Sequence, residues 1–405
     1  MENNTQPYKW RIITACFLMI FICLGFYSGT RSLFLAPTTK ALGIKRSEFA
    51  LSNTFRNITT ALVSFSFGTL FQKLGAKKLI IIGLLSLIVS SLVFAAAETV
   101  LFLCIAGVFM GFGLVFASTT MASTLIQSCC KTNIGKYTGI VLAANGVGTA
   151  IATQIYTPII STSDSPFAYR NAYYLSAVIV GIILIIICLL LGKATFSTVT
   201  PKSKGKLISK VSFKTKAIRN SFYIVAASIF LTGFIIQGIY GIFAAYLTDI
   251  GLASEKVATV FSIFSIALTI AKVLIGAIFD RFGLRWMMII SYICAIIAII
   301  LMIIVASAPV LAFACAITLA LATPLETIGI TLITRGVFGS EYYNGLIGKF
   351  MAMNYAGYAI GAPVINIFYD ISGSYNTAFI LYGCIMVLVF VAMQFVANST
   401  KNVMA

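Results

Sequence analysis

Long apolar stretches separated by short polar loops run through almost the whole chain. Each stretch is long enough to cross the hydrocarbon core of a bilayer, which takes about 20 apolar residues in a helix. The stretches lie at 10–36, 47–70, 78–97, 100–127, 136–160, 170–193, 220–247, 256–279, 286–305, 310–334, 346–369 and 376–398. Numbered spans 1 to 12 in chain order, they predict an all-α membrane protein with twelve transmembrane helices.

The longest polar interval divides the twelve spans into two sets of six. It covers 194–219 and carries seven basic residues, Lys202, Lys204, Lys206, Lys210, Lys214, Lys216 and Arg219. We therefore predict an N-terminal six-helix bundle at 1–193, a basic cytoplasmic linker at 194–219 and a C-terminal six-helix bundle at 220–405.

The positions of the basic residues indicate which way the spans face. If the N terminus is cytoplasmic, 20 of the 28 Lys and Arg residues fall in cytoplasmic segments. Positive charge concentrates on the cytoplasmic side of membrane proteins. We therefore expect both termini to be cytoplasmic and the protein to lie in the cytoplasmic membrane. The net charge of +18 is then explained by topology and by contact with anionic lipids, not by binding to nucleic acid.

Composition argues against an enzyme or a metalloprotein. The chain is 60% hydrophobic and 9% charged, and it has no histidine. Its nine cysteines lie mostly within apolar stretches and have no metal-binding spacing, so we expect no metal and no cofactor. There is no intramembrane catalytic motif. A non-transporting sensor remains an alternative, although such proteins usually need a soluble signalling module, and the longest loop here has about 26 residues.

The two halves repeat each other at an offset of about 208 residues. Gly25 falls on Gly233 and Gly43 on Gly251 at this offset. The same relation holds for further pairs: Gly68 with Gly276, Gly75 with Gly283 and, with one extra residue, Gly139, Asn145 and Gly148 with Gly348, Asn354 and Gly357. A shared offset across four of six helices predicts two pseudo-symmetric bundles, and such repeats place a solute site near the bilayer midplane.

The loop after span 8 resembles the signature loop of the major facilitator superfamily. Its residues are Gly276, Asp280, Arg281, Gly283 and Arg285. The first half has Gly68, Gln72, Lys73, Gly75, Lys77 and Lys78, where Gln72 replaces the acid. The resemblance covers all twelve spans and implies the major facilitator fold, transport by alternating access, a gating role for this loop and a monomer.

Four charged residues lie within the predicted spans: Arg31, Arg56, Lys272 and Glu326. A charge at the bilayer centre costs about 2.5–3.5 kcal/mol on insertion scales, so such side chains usually face the protein interior. Arg31 and Lys272 are candidates for solute contact, with outward snorkelling as the alternative for Arg31. Arg56 is as well explained by snorkelling or an ion pair as by solute contact. Glu326, two residues after Pro324, is a candidate proton carrier, a structural partner of Lys272 or Arg31, or a direct solute contact.

The stretch from Tyr27 to Gly43 resembles span 1 of the oxalate–formate exchanger and monocarboxylate transporter branch, as does Ala271–Gly276 in span 8. This resemblance implies that Lys272 and Arg31 take the anion-binding positions. Two departures count against close identity. Asn354 replaces the exchanger's span-11 Lys, and Leu268 replaces the acid of the monocarboxylate carriers.

The sequence thus predicts a secondary transporter of a small monocarboxylate-like anion, coupled to protons or working by exchange. Its candidate solute-binding residues are Arg31, Lys272, Tyr27, Arg56, Asn354, Tyr358 and Tyr240, and Tyr355 lies nearby. Each tyrosine has packing as an alternative role. A carrier of another small solute (a drug, amino acid or sugar) is the main alternative. Resemblance to drug exporters is weakened because Gly107 stands where they have an arginine, and Asn145–Gly148 lacks their proline.

Overall fold

The computed structural model describes residues 6–130, 132–161, 167–192 and 216–404. Most of the predicted linker, including Lys202, Lys204, Lys206, Lys210 and Lys214, lies outside the described residues. Clustering of contacts divides the chain into two compact units, Met1–Ser209 and Lys210–Ala405.

The N-terminal unit is helical throughout its described residues. Its elements are α1 (Gln6–Ile20), a π-helical segment (Phe21–Gly29), α2 (Arg31–Leu42), α3 (Arg46–Ala96), α4 (Val100–Phe116), α5 (Thr119–Cys129), α6 (Ile134–Ser161) and α7 (Ala168–Gly192). Span 1 is thus divided into three segments, and span 4 into α4 and α5.

The C-terminal unit has the same helical character in its described residues. Its elements are α8 (Lys216–Asp249), α9 (Ser254–Ile304), α10 (Leu311–Ala322), a 3-10 turn (Thr323–Glu326), α11 (Ile328–Ser372) and α12 (Asn376–Met404). The turn begins at Thr323 and contains Pro324, which the sequence identified as a helix breaker.

Three helices are too long to be single spans. α3 and α9 have 51 residues each, or about 76 Å at the α-helical rise, against about 30 Å of hydrocarbon. Each breaks at a glycine with positive φ: Gly75 in α3, Gly283 in α9 and Gly339 in α11. Within the described residues eight helices qualify as spans, and α10 with α11 forms a ninth, bent pair. Dividing the three long stretches at their glycines accommodates the twelve-helix fold.

Large apolar side chains cover much of the outer surface of each unit. Leu189 is 74% exposed and Leu388 is 68% exposed. Exposed apolar area on this scale is unusual for a protein that folds in water. It fits helices whose outer faces contact lipid, as expected for an integral membrane protein with several spans.

The repeat seen in the sequence is also present in the backbone. Gly43 and Gly251, 208 residues apart, both end a helix with positive φ, 65° and 87°. Gly75 and Gly283, at the same offset, both bend the chain at φ 76° and 83°. The pairs occupy equivalent places, so each unit uses the same backbone turns at the same two loops.

Close helix contacts repeat as well. A Cβ on Gly25 would lie 2.6 Å from the Cα atom of Gly148, which brings the π-helical segment against α6. In the other unit a Cβ on Gly357 would lie 2.8 Å from the backbone nitrogen of Phe234, which brings α11 against α8. Only glycine allows these backbones to approach so closely, as in many membrane helix pairs.

Candidate functional site

Arg31 begins α2 at the point where span 1 changes its winding. The π-helical segment ends at Thr30, whose φ of −93° and ψ of 1° interrupt the helix. π-Helical insertions are rare and often occur at functional sites. Arg31 directly follows this interruption, and its side chain is buried in the N-terminal bundle.

The Arg31 guanidinium is held by neutral groups only. Its Nε donates to Oδ1 of Asn53 at 2.6 Å, and its Nη2 donates to the hydroxyl of Ser52. Nη1 has only the sulfur of Met110, at 3.7 Å. No carboxylate of the described residues is among its contacts, although the side chain is only 8% exposed.

Two aromatic rings complete the surroundings of the guanidinium. Its central carbon lies 4.6 Å from the ring centre of Phe94 and 5.2 Å from that of Phe49. Ring faces attract cations, and a desolvated contact is worth about 2 kcal/mol. The charge of Arg31 is therefore stabilised by dipoles and ring faces without being neutralised.

A small cleft opens beside Arg31 in the N-terminal unit. It is lined by Phe26, Tyr27, Thr30, Arg31, Phe34, Tyr173 and Ser176. The first five residues come from span 1 and the last two from α7. The lining thus combines one cation, several aromatic rings and a few hydroxyl groups.

Tyr27, a sequence-predicted site residue, lies at this cleft but its hydroxyl is already engaged. It donates to the backbone oxygen of Leu87 at 2.6 Å and is in contact with the hydroxyl of Ser91. Its ring therefore forms part of the wall, and its hydroxyl ties span 1 to α3.

Arg56 lies on α3 but is not among the residues that line the cleft. Its Nε and Nη2 donate to Oδ1 of the neighbouring Asn57 at 3.3 and 3.1 Å. The side chain is half-buried. The structure therefore does not bring Arg31 and Arg56 together at one place.

In the C-terminal unit, Lys272 lies on α9 and is 3% exposed. The side chain therefore faces the protein interior, as is usual for a charge within a span. The Glu326 carboxyl group has its hydrogen-bond partners in Tyr358 and Gln237, not in Lys272. The described residues therefore give no support to a Lys272–Glu326 ion pair.

Glu326 ends the 3-10 turn and is buried, with 4% of its surface exposed. Its carboxyl group has hydrogen-bond partners in the side chain of Tyr358 and the backbone of Gln237. The Oε1 atom has no partner among the described residues. The carboxyl group can therefore accept or hold one more proton or hydrogen bond.

Asn354 links the broken helix to the middle of α11. Its Nδ2 donates to the backbone oxygen of Glu326 at 3.2 Å. A Cβ on Gly233 would lie 2.5 Å from Oδ1 of Asn354, so a larger residue at 233 would displace this amide. The sequence placed Glu326 on span 10 and both Asn354 and Tyr358 on span 11 as candidates, and the structure groups the three around one break.

Tyr240 is further out, with 38% of its surface exposed and its ring 5.3 Å from that of Phe264. The rings of Tyr355 and Tyr358 meet edge to face at 5.4 Å. Packing accounts for the ring contacts of Tyr240 and Tyr355, whereas Tyr358 also has a polar partner in Glu326.

The predicted gating loop contains the break in α9. Gly283 has φ 83° and ψ 179°, a combination that only glycine adopts readily. Asp280, Arg281 and Arg285 are exposed around it, and Gly276 is buried one turn earlier. A Cβ on Gly283 would meet nothing within 4 Å, so the requirement for glycine is conformational.

Sequence reasoning missed the groups that hold Arg31 in place. Ser52 and Asn53 lie about two turns after the start of α3, and Tyr173 and Ser176 lie about one turn apart on α7. The one feature of the sequence that could have identified these four residues is that they are polar and lie toward the same end of their spans as Arg31. Without the packing of spans 1, 2 and 6, many serines and tyrosines would have matched it equally well.

The family model of the major facilitator superfamily matches residues 15–258 and 225–402 of this chain. The chain belongs to the major facilitator superfamily. It is a secondary transporter of small solutes and an integral membrane protein, and it is not an enzyme. No curated protein sequence matches it significantly.

Solved structures of other superfamily members share the fold. The fucose:proton symporter of E. coli is 16% identical, with 95% of this chain and 97% of that chain covered and a TM-score of 0.69. The human organic anion transporter MFSD10 is 14% identical, with 95% and 99% covered and a TM-score of 0.72. The proton:xylose symporter XylE is 14% identical, with 97% and 96% covered and a TM-score of 0.72. At these identities the likeness shows the fold alone.

Proposed function

We propose that this superfamily member carries a small monocarboxylate-like anion by alternating access. The observation that carries the proposal is the environment of Arg31, a buried cation whose contacts are all neutral. A buried charge without a counter-charge costs several kcal/mol, and an anionic solute would offset that cost.

Lys272 supplies a second argument for an anion. It is a cation buried within the C-terminal unit, with 3% of its surface exposed. Buried cations raise the local concentration of anions in a cavity by electrostatic attraction. Within the N-terminal unit Arg31 would hold a carboxylate through its planar fork, and within the C-terminal unit Lys272 would attract an anion as a point charge.

Coupling is proposed to pass through Glu326. A carboxyl group with one unpartnered oxygen in an apolar setting can take up and release a proton as the solute site changes its exposure. Symport with a proton would need this uptake and release of a proton, whereas exchange of one anion for another would not. Proton symport is therefore the first form of the proposal, and exchange is the second.

Uptake into proteoliposomes tests the proposal. Purified wild-type protein should accumulate labelled propionate, and Lys272→Gln should reduce that uptake tenfold or more, as loss of a charged contact worth about 1.5–3 kcal/mol implies. Lys256→Gln removes an exposed lysine from the start of the same helix and should leave uptake unchanged.

Two results would contradict the proposal. One is uptake of fucose or xylose, the solutes named for two of the similar structures, with no uptake of any carboxylate. The other is carboxylate uptake that is unchanged in both Lys272→Gln and Arg31→Gln, which would show that neither cation binds the solute.

A further inference from the structure

The hydroxyl of Tyr173 is a buried polar group without a partner. Tyr173 is 5% exposed, and its Oη atom makes no hydrogen bond to any described residue. Leaving a buried donor unpaired costs about 1–3 kcal/mol. Tyr173 lines the same cleft as Arg31, so the unpaired hydroxyl and the uncompensated cation belong to one site.

The hydroxyl groups of Tyr27 and Tyr156, in contrast, are hydrogen-bonded. The hydroxyl of Tyr27 donates to the backbone of Leu87, and that of Tyr156 is paired with Ser176 at 2.6 Å. Ser176 in turn donates to the backbone oxygen of Ala172. The hydroxyl groups around the cleft are thus used by the protein itself, except that of Tyr173.

Packing fixes the direction of the Tyr173 hydroxyl. Its ring stacks on Phe34, with ring centres 4.2 Å apart, and on Phe94, with ring centres 5.2 Å apart. The ring of Phe94 also lies against the guanidinium of Arg31. One aromatic cluster therefore holds both the cation and the phenol, so neither group needs to reorganise when a ligand binds.

The unused hydrogen-bonding capacity of the two residues matches one carboxylate. Arg31 has five N–H donors, and its two strong hydrogen bonds, to Asn53 and Ser52, leave Nη1 facing only a thioether sulfur. We propose that Tyr173 is the second anchor of the solute carboxylate, which accepts hydrogen bonds from both Arg31 and the Tyr173 hydroxyl. This inference rests on the proposed function and narrows the class of solute.

The rest of the cleft determines what the carboxylate can carry. Its remaining walls include the rings of Phe26 and Phe34, and no second cation is among its lining residues. A second carboxylate would be buried against these rings without a partner, which is costly. This lining favours monocarboxylates with a short apolar remainder over dicarboxylates.

Calorimetric titration of the purified full-length protein in chloride-free buffer tests this inference. The probes are propionate, malonate and chloride. Wild-type protein should bind propionate and discriminate against malonate. Tyr173→Phe keeps the stacked ring and removes only the hydroxyl, so propionate should bind about tenfold more weakly.

Tyr169→Phe is the matched control. Tyr169 is also fully buried on α7 and its hydroxyl is also unpaired within the described residues, but it does not line the cleft. This variant should bind propionate as wild type does. An equal loss of propionate affinity in Tyr173→Phe and Tyr169→Phe would mean that any such change on α7 weakens binding, and it would overturn the inference. Unchanged affinity in both variants would overturn it as well.

The remaining outcomes separate the inference from the proposed function. If wild-type protein binds malonate as tightly as propionate, the predicted selectivity is wrong. Chloride binding in place of propionate overturns the carboxylate assignment. If wild-type protein transports propionate but the calorimetric results contradict the role of Tyr173, the proposed function stands and the inference about Tyr173 is wrong. If wild-type protein neither binds nor transports any carboxylate, both the proposed function and the inference about Tyr173 are wrong.

Discussion

The charge of Arg31 is tolerated inside a helical bundle because hydrogen bonds and aromatic rings contact different sides of the guanidinium. An amide and a hydroxyl from α3 accept from one side, and aromatic rings cover the faces. Such a cage fixes the guanidinium but leaves its charge uncompensated. The position of the guanidinium therefore depends on its contacts with α3, while solute binding depends on the N–H groups that face the cleft.

The amide of Asn53 should matter for affinity although it does not line the cleft. Asn53→Ala removes the 2.6 Å hydrogen bond to Nε and frees the guanidinium to rotate. We expect propionate to bind about tenfold more weakly, since a hydrogen bond to a charged group contributes about 1.5–3 kcal/mol. Calorimetric titration measures the change.

Thr54→Ala is the control for Asn53→Ala, since Thr54 is the next residue on α3 and is exposed. It should bind propionate as the wild type does. Equal affinities in the two variants would mean that the guanidinium keeps its position without the amide.

Glu326 should govern how uptake depends on a proton gradient. Glu326→Gln keeps the shape of the side chain and a hydrogen-bond partner for Tyr358, but it cannot exchange a proton. We expect proton-driven accumulation of propionate to be lost, while exchange of internal for external propionate continues. Uptake with and without an imposed pH gradient distinguishes the two.

Glu341→Gln provides the comparison, because Glu341 is an exposed acid on α11. It should accumulate propionate as the wild type does. Intact proton-driven accumulation in Glu326→Gln would leave anion exchange, or another acid, as the coupling mechanism.

The residues of the candidate site were predictable only in part. Arg31, Lys272 and Glu326 are visible in the sequence because a charge within an apolar stretch is costly and therefore unusual. Ser52, Asn53 and Tyr173 are not, because polar neutral residues are common in spans. Their importance depends on which helix faces they meet, and a single sequence does not contain that information.

At the scale of the elements, glycine determines where long helices bend. Gly75, Gly283 and Gly339 have φ of 76°, 83° and 71° with ψ near 180°. This region of backbone conformation is almost closed to residues with a Cβ. The bends separate spans that would otherwise form helices about twice the thickness of the bilayer core.

Gly283→Ala should destabilise the fold without creating a steric clash. A Cβ there meets no atom within 4 Å, so the cost is that of the backbone conformation, about 1–3 kcal/mol. We expect a lower midpoint of thermal unfolding in detergent.

Gly181→Ala makes the same chemical change within α7, where a Cβ also meets nothing within 4 Å and φ is helical. It should leave the midpoint unchanged or raise it slightly, since alanine favours a helix over glycine by about 1 kcal/mol. Equal midpoints in the two variants would contradict the role given to the backbone conformation.

Apolar length predicted the spans well but not their internal irregularities. The run at 10–36 gives no sign that Phe21–Gly29 winds as a π-helix, because the side chains are as apolar as those around them. The winding follows from contact: Gly25 meets Gly148, and a Cβ on Gly29 would crowd Thr149 on α6. Pro324, in contrast, marks its own break because proline cannot continue a helix ladder.

At the scale of the whole molecule, the repeat is a repeat of the backbone and not of the polar site. The glycine turns and close contacts recur at an offset of 208 or 209 residues. The residues of the Arg31 cage do not. At the offset of 208, Arg31 corresponds to Ile239, Ser52 to Val260 and Asn53 to Phe261. All three counterparts are apolar, and Ile239 and Val260 are buried.

Moving the cation to the other half should therefore fail. In the double variant Arg31→Ile/Ile239→Arg, the new guanidinium would lie among Val260 and Phe261, which offer no acceptor. A buried charge without partners costs about 3–5 kcal/mol, so the double variant should unfold at a lower temperature than Arg31→Ile alone and take up no propionate. Adding Phe261→Asn restores one acceptor and should recover part of the lost stability, but not uptake, because Tyr173 remains in the N-terminal unit. Propionate uptake by the double variant would mean that the two halves are interchangeable as anion sites, and that the duplicated backbone suffices without the cage.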